Sequence, residues 1–92
     1  MRQTNYFGEH IRTERKARGL SVTESAHLIN ISESYLSTLE RGLVPPPSAE
    51  VILRIEKELG LKEFILFYLA IRDGYARVPP SIVERFAERY PK

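Results

Sequence analysis

The sequence contains no cysteine, which excludes disulfide bonds and thiolate metal sites. It also has no apolar run near the ~20 residues that a membrane-spanning helix needs. The segment Met1–Gly8 lacks the apolar core of a signal peptide. These absences are typical of a cytoplasmic protein, which is what we expect here. Neither sign of charge predominates, because 14 basic and 12 acidic residues leave a net charge of only +2. This small excess of positive charge is weak evidence for a nucleic-acid partner.

Patterns for catalysis and metal binding are absent from the sequence as well. His10 and His27 are far apart and belong to no HxxxH or HxxE pattern, so we expect both at the surface and not on a metal. The hydroxyl-rich stretch Ser32 to Thr38 has no glycine-flanked elbow and no neighbouring base to activate a nucleophile. A chain of 92 residues is also too small for a buried active site with a lid. We therefore predict no enzymatic activity, no cofactor and no metal.

The sequence does contain a succession of short amphipathic helices separated by clear stop signals. Helices are predicted from residue 5 or 6 to 18, from 21 to 29, from 32 to 41 and from 48 to 59. The second begins with a capping box, Ser21 and Glu24, and Asn30 suits a left-handed turn after it. Two helices joined so tightly leave the outer face of the second one projecting from the molecule. Residues 21–41 therefore predict a helix-turn-helix unit.

Residues 61–90 differ from the rest because they are unusually apolar. The stretch 61–71, which we predict as a helix, is apolar almost all round, and Pro79 and Pro80 lead into a final helix. That helix carries Ile82, Val83, Phe86 and Tyr90 on one face. Large exposed apolar patches are rare on monomers. We therefore expect one domain over residues 1–92, in which segment 61–90 completes the core and also supplies the contact of a homodimer. The predicted dimer contacts are Phe64, Phe67, Tyr68, Ile71, Ile82, Phe86 and Tyr90.

The chain from Gly8 to Leu61 resembles the XRE-type (lambda repressor-like) helix-turn-helix family. The most specific part of the resemblance is Ile31-Ser32 followed by Leu39-Glu40-Arg41-Gly42. The resemblance implies an all-α fold, a five-helix domain to which this chain adds a C-terminal helix. It also implies a sequence-specific DNA-binding transcriptional regulator, expected to be a repressor.

The resemblance further implies an ion pair between Arg15 and Glu40, because the equivalent arginine and glutamate pair in that family. The helical register agrees with this. Arg15 follows Ile11 by one turn on the inward stripe of the first helix and would need a partner there. We therefore predict that both residues are structural and do not read DNA.

DNA contacts are expected from the helix-turn-helix unit and the starts of its helices. The resemblance and the outward register assign them to Ser21, Thr23, Ser32, Glu33, Ser34, Tyr35, Ser37, Thr38 and Arg41. Hydroxyl groups at the start of the second helix can meet a phosphate, as can the Tyr35 hydroxyl. The loop after Arg41 is expected to follow the DNA backbone.

The expected reading surface departs from the family pattern at two positions. The first residue of the second helix is typically a glutamine that grips a phosphate and braces the first reading residue, whereas Val22 can do neither. Glu33 stands where many relatives have glutamine, arginine or lysine. It could accept a hydrogen bond from a cytosine amino group, and the Thr38 methyl group could meet a thymine methyl group. A carboxylate is nevertheless repelled by phosphates.

The sequence therefore leaves two functions open. The first is a homodimeric regulator that reads the major groove of a two-fold symmetric site with helix 33–41. The alternative is a protein-interaction module, an antirepressor- or antitoxin-like partner that uses the same scaffold without specific DNA binding. Glu33, Val22 and the near-neutral charge motivate this alternative. A regulatory protein partner stays open in both.

Overall fold

The computed structural model describes residues 4–75 and 78–91. Within these ranges the chain forms six α-helices: α1 (Tyr6–Ala17), α2 (Val22–Ile29), α3 (Glu33–Arg41), α4 (Ala49–Leu59), α5 (Ile65–Arg72) and α6 (Val83–Arg89). A 3-10 turn, Pro80–Ile82, directly precedes α6. The predicted all-α architecture of five helices with an added C-terminal helix is confirmed. No helix in the described ranges is long and apolar enough to cross a membrane.

Local capping residues set the boundaries of α2 and α3, as predicted. The Ser21 hydroxyl accepts from the Glu24 N–H at 3.0 Å, and the Glu24 carboxylate accepts from the Ser21 N–H at 2.9 Å. Asn30 ends α2 in the left-handed conformation, with φ of 64°. The Ser32 hydroxyl then accepts from the Tyr35 N–H at 3.1 Å and starts α3. Three residues, Asn30, Ile31 and Ser32, therefore join α2 to α3.

The inward stripes of the helices meet in one apolar core. The buried apolar residues are Phe7, Ile11, Ala26, Ile29, Leu36, Leu39, Ile52, Ile55, Leu59, Phe64, Leu66, Phe67, Ala70 and Ile82. Burying one large apolar side chain stabilises a fold by roughly 1.5–3 kcal/mol, so this core dominates the stability. Because the core fixes the inward stripe of α3, it also decides which α3 residues face outward.

Helices α1 and α3 approach each other closely at Gly8. A Cβ atom there would lie 2.7 Å from the Glu40 carbonyl oxygen, so no larger residue fits without separating the helices. Asn5 joins the same two helices through its side chain. Its Oδ1 accepts from the Gly8 N–H at 3.2 Å, and its Nδ2 donates to the Glu40 carbonyl at 2.9 Å. These contacts fix the position of α3 relative to α1.

The apolar helix predicted from residue 61 begins only at Ile65, which corrects its start. Phe64 adopts a left-handed φ of 66° and its side chain lies fully in the core. The carboxylate of Glu56, itself only 4% exposed, accepts from the N–H groups of Phe64 at 3.0 Å and Leu66 at 2.9 Å. A residue of α4 therefore caps α5, because the start of α5 has no side-chain cap of its own.

The only aspartate of the sequence, Asp73, links the end of α5 to the start of α1. Its carboxylate accepts from the N–H groups of Tyr6 and Phe7, both at 2.9 Å, and from the Thr4 hydroxyl at 2.6 Å. Negative charge is favourable at a helix N-terminus. The α5 segment is thus tied to the helix-turn-helix unit through α1.

The C-terminal helix packs less deeply than predicted. Ile82 is buried, whereas Val83, predicted on the same inward face, is 47% exposed. Successive residues of a helical turn point about 100–120° apart, so the two side chains cannot both face the core. Side chains hold α6 in place: the Tyr90 ring stacks on Tyr68 with centroids 4.9 Å apart, and Arg89 pairs with Glu63 at 2.8 Å.

Candidate nucleic-acid interface

The predicted ion pair between Arg15 and Glu40 is confirmed and connects α1 to α3. Arg15 Nε lies 2.7 Å from Glu40 Oε2, and Arg15 Nη2 donates to Oε1 at 2.9 Å. A third bond runs from Arg15 Nη1 to the Leu20 carbonyl at 2.9 Å. The hydrogen bond to Glu40 raises the pKa of Arg15, so the guanidinium stays charged although it is buried. Because both side chains are satisfied within the fold, they hold α3 in place.

The outer face of α3 forms a shallow depression beside the start of α2. It is lined by Val22 of α2 and by Glu33, Ser34, Ser37, Thr38 and Arg41 of α3. The structure therefore brings together the four residues predicted as the reading surface, Glu33, Ser34, Ser37 and Thr38. The core residues of α3 lie on the opposite side of the helix. Val22, which cannot bind a phosphate through its side chain, forms the apolar wall of this surface.

Several hydroxyl groups of the predicted interface are already hydrogen-bonded within the chain. The oxygens of Ser21 and Ser32 accept from backbone N–H groups at the starts of α2 and α3. The Thr38 hydroxyl donates to the Tyr35 carbonyl at 2.7 Å, which leaves its methyl group for apolar contact. Tyr35 is half-buried against the core. These bonds fix the side chains near the surface before any ligand arrives.

A hydrogen bond that the sequence did not indicate joins the first turns of α2 and α3. The hydroxyl of Thr23 donates to Glu33 Oε1 at 2.8 Å. Both side chains are exposed. From the sequence we expected the Thr23 hydroxyl to meet a phosphate. For the hydrogen bond between Thr23 and Glu33, the sequence showed only that both residues lie at the starts of adjacent helices. That position does not reveal the distance between the two side chains.

Among the residues that the structure describes, some basic residues near this surface form ion pairs with carboxylates and others do not. Arg15 is buried in its ion pair, and Arg18 pairs with Glu14 at 2.8 Å and reaches the Gly60 carbonyl at 3.2 Å. Arg12 of α1 and Arg41 of α3 instead line one cleft beside the depression. A pair of guanidinium groups along one edge suits contacts to a phosphate backbone.

The predicted dimer contacts do not form one accessible surface. Phe64, Phe67 and Ile82 are at most 5% exposed and belong to the core, which corrects their assignment, because a second chain cannot reach them. The other four predicted contacts remain at least partly accessible: Tyr68, Ile71, Phe86 and Tyr90.

Ile71 is the most accessible of these four, at 41% exposed. The guanidinium of Arg72, the next residue, lies 5.1 Å from the ring centre of Tyr6 and 5.9 Å from that of Tyr68. We call Tyr6, Tyr68, Ile71 and Arg72 the α5 patch.

Within ranges 4–75 and 78–91, no group of three or more histidine, aspartate or glutamate side chains could hold a metal ion.

Comparison with known proteins adds independent information on this arrangement. A family model described as a helix-turn-helix domain matches residues 7–63. The chain is 35% identical over 55 residues to the HTH-type transcriptional regulator SinR of Bacillus subtilis, a match covering 60% of this chain and 50% of SinR. It is 36% identical over 63 residues to an uncharacterized HTH-type transcriptional regulator of Mycobacterium tuberculosis, covering 68% of this chain and 44% of that protein. The chain thus spans about half the length of these curated relatives.

A solved structure of SinR, described as the master regulator for biofilm formation in complex with DNA, superposes with a TM-score of 0.62 at 31% identity. The superposition covers 66% of this chain and 97% of the SinR chain. These relatives are named as transcriptional regulators, in agreement with the expectation that the chain is not an enzyme. With the family model matched over α1 to α4, the chain belongs to the helix-turn-helix domain family, and within it to the XRE (lambda repressor-like) type.

Proposed function

We propose that this protein is a sequence-specific DNA-binding transcriptional regulator that acts as a repressor. The outer face of α3 enters the major groove, and Glu33, Ser34, Ser37 and Thr38 contact base edges. The observation that carries the proposal is the depression formed by these side chains on a helix whose opposite side is anchored in the core. A polar face on a rigid helix is what direct reading of bases needs.

Phosphate contacts in this proposal come from the edges of the depression. Arg12 and Arg41 line the adjoining cleft, and the N-terminus of α2 offers its backbone N–H groups. The net charge of +2 keeps the non-specific attraction to DNA moderate. SinR, with 31% identity to this chain, was solved in complex with DNA, which supports a DNA partner.

We propose further that the protein acts as a homodimer through the α5 patch. Four short polar side chains give too little specificity on one half-site, and a two-fold dimer doubles the sequence that is read. The patch combines tyrosine and arginine side chains with the exposed Ile71, a composition enriched at protein interfaces.

Selection of binding sites from random duplex DNA tests the proposed function. The intact chain should enrich a palindrome whose half-sites lie one helical turn apart, about 10 base pairs. No enrichment at low salt, where electrostatic attraction is strongest, would refute specific DNA binding.

One observation favours a second candidate function, a protein-interaction module of the antirepressor or antitoxin type. The depression contains a carboxylate, Glu33, and an apolar wall, Val22, which together suit a mixed polar and apolar partner. In that case the same selection enriches no duplex. Val22→Thr, which keeps the shape and the charge but makes the apolar wall polar, would then weaken capture of the partner without altering the affinity for random DNA.

A further inference from the structure

The Glu33 carboxylate is held in a defined position by Thr23. The Thr23 hydroxyl donates to Oε1 at 2.8 Å, and both residues lie in the first turns of neighbouring helices. A hydroxyl group has only one hydrogen to donate. While this bond exists, Thr23 cannot also donate to a phosphate. Its role at the interface is therefore exerted through Glu33.

Besides this bond, the carboxylate keeps Oε2 and a second lone pair on Oε1 as acceptors for a ligand in the depression. An ionised carboxylate only accepts hydrogen bonds, so its partner must be a donor. In the major groove, thymine and guanine present acceptor oxygens, and adenine presents its amino donor beside the N7 acceptor. Cytosine presents its 4-amino donor without a neighbouring acceptor. An acceptor-only carboxylate therefore matches cytosine best among the four bases.

The position of the carboxylate needs active support, because two effects oppose it. An exposed glutamate has several accessible rotamers, and restricting them to one costs conformational entropy. The phosphates of an approaching duplex also repel the carboxylate away from the groove. Val22, which lines the depression beside Glu33, offers no hydrogen bond that could restrain it. Thr23 supplies the restraint that Val22 cannot.

We propose that Thr23 is a positioning residue that holds the Glu33 carboxylate towards a cytosine 4-amino group. This inference rests on the proposed function. The two side chains together select a C:G pair at one position of each half-site. Thr23 itself touches no base, and it contributes to specificity by fixing the rotamer of Glu33.

The test measures discrimination at single base pairs of the duplex obtained by selection. At one position, replacing cytosine by thymine should weaken binding of the wild-type chain by about 10-fold or more. A cytosine analogue that lacks the 4-amino group should weaken it to a similar degree. Glu33→Ala should remove this preference for cytosine. Thr23→Val keeps the shape of the side chain but loses the hydroxyl, and it should lower the ratio of the two affinities at least about 3-fold. Other positions of the site should keep their preferences.

Matched variants separate positioning from a general structural effect. Thr23→Ser keeps the hydroxyl and should restore the discrimination, and Thr13→Val tests a threonine on the exposed face of α1. Adding Thr23→Val to Glu33→Ala should cause no further loss, because both act through one carboxylate. Thermal unfolding of the variants should match the wild type.

Two results overturn the inference while leaving the proposed function intact. One is a Thr23→Val variant with full discrimination at the position that Glu33→Ala abolishes. The other is a Glu33→Ala variant that keeps every base preference. If the wild-type chain prefers no duplex at all, the proposed function fails and the inference fails with it.

Discussion

Arg15 and Glu40, 25 residues apart in sequence, form a bidentate ion pair at 2.7 and 2.9 Å between α1 and α3. Their side chains are only 8% and 5% exposed. Removing one partner of such a pair leaves the other charge buried without compensation. The pair therefore matters for holding α3 in place and not for contacting a ligand.

Glu40→Gln is expected to destabilise the protein by ~3–5 kcal/mol, because it leaves the buried Arg15 without a counter-charge. Chemical or thermal unfolding measures this loss. Glu50→Gln is the matched control, since Glu50 is exposed and lies 3.9 Å from Arg54 on α4, so its change should stay below ~1 kcal/mol. An unchanged melting temperature for Glu40→Gln combined with lost DNA binding would show instead that Glu40 belongs to the DNA contact.

The buried Glu56 should give the stability a distinct dependence on pH. Burial raises the pKa of its carboxyl group, the hydrogen bonds from Leu66 and Phe64 lower it, and nearby Glu63 raises it; the net shift is upward from the ordinary value of 4.5. A group with a raised folded pKa binds its proton more tightly in the folded state. Its contribution to stability is therefore fully present below about pH 4.5 and is lost as pH rises through the folded pKa.

Unfolding of the wild type and Glu56→Gln between pH 4 and 7, at about half-unit steps, checks this sign. The difference in unfolding free energy, wild type minus variant, should be larger at the acidic end and decline towards neutral pH. Contributions of groups that the variant leaves unchanged cancel in this difference. A difference that grows towards neutral pH would mean that the hydrogen bonds to α5 outweigh burial and that the folded pKa is lowered.

Local capping explains how much of the fold was predictable from the sequence. Ser21, Asn30 and Ser32 act on backbone groups within four residues, so their roles could be predicted from short-range patterns. Glu56 and Asp73 instead cap other helices, at separations of 8 and 10 residues for Glu56 and 66 and 67 residues for Asp73. Nothing in their own sequence neighbourhood indicates this, and the late start of α5 at Ile65 was missed for that reason.

The candidate site shows the same division. Which side chains of α3 face outward follows from helical periodicity, because Leu36 and Leu39 fix the inward stripe. The bond between Thr23 and Glu33 depends on the angle between two helices, which periodicity does not give. The assignment of Phe64, Phe67 and Ile82 to a dimer contact failed because apolar character alone cannot separate core from interface.

A charge in the α5 patch should separate the proposed dimer into monomers. Ile71→Glu places a carboxylate at its centre, where a second copy would have to desolvate it. Sedimentation at tens of micromolar protein should show a dimer for the wild type and a monomer for the variant. Leu53→Glu on α4 is the control, because Leu53 is 37% exposed against 41% for Ile71. A monomeric wild type at this concentration would remove the dimer from the proposal.

Ser37 should contribute to reading the sequence and not to general attraction. Ser37→Ala removes a hydroxyl from the depression and is expected to weaken binding to the selected site by ~1–3 kcal/mol while leaving binding to random duplex nearly unchanged. Fluorescence anisotropy on both duplexes measures the two affinities, and Ser81→Ala, at an exposed serine before α6, serves as the control. Equal losses on both duplexes would make Ser37 a backbone contact.

The central claim, that the outer face of α3 reads a DNA sequence, is tested most directly by one ratio. The dissociation constant of the intact chain is measured at physiological salt for the selected palindrome and for a scrambled duplex of equal length and composition. Sequence-specific recognition predicts that the scrambled duplex binds about 10³-fold more weakly or worse. A ratio near one would mean that the protein attracts DNA only through its charges, and it would contradict the proposed function.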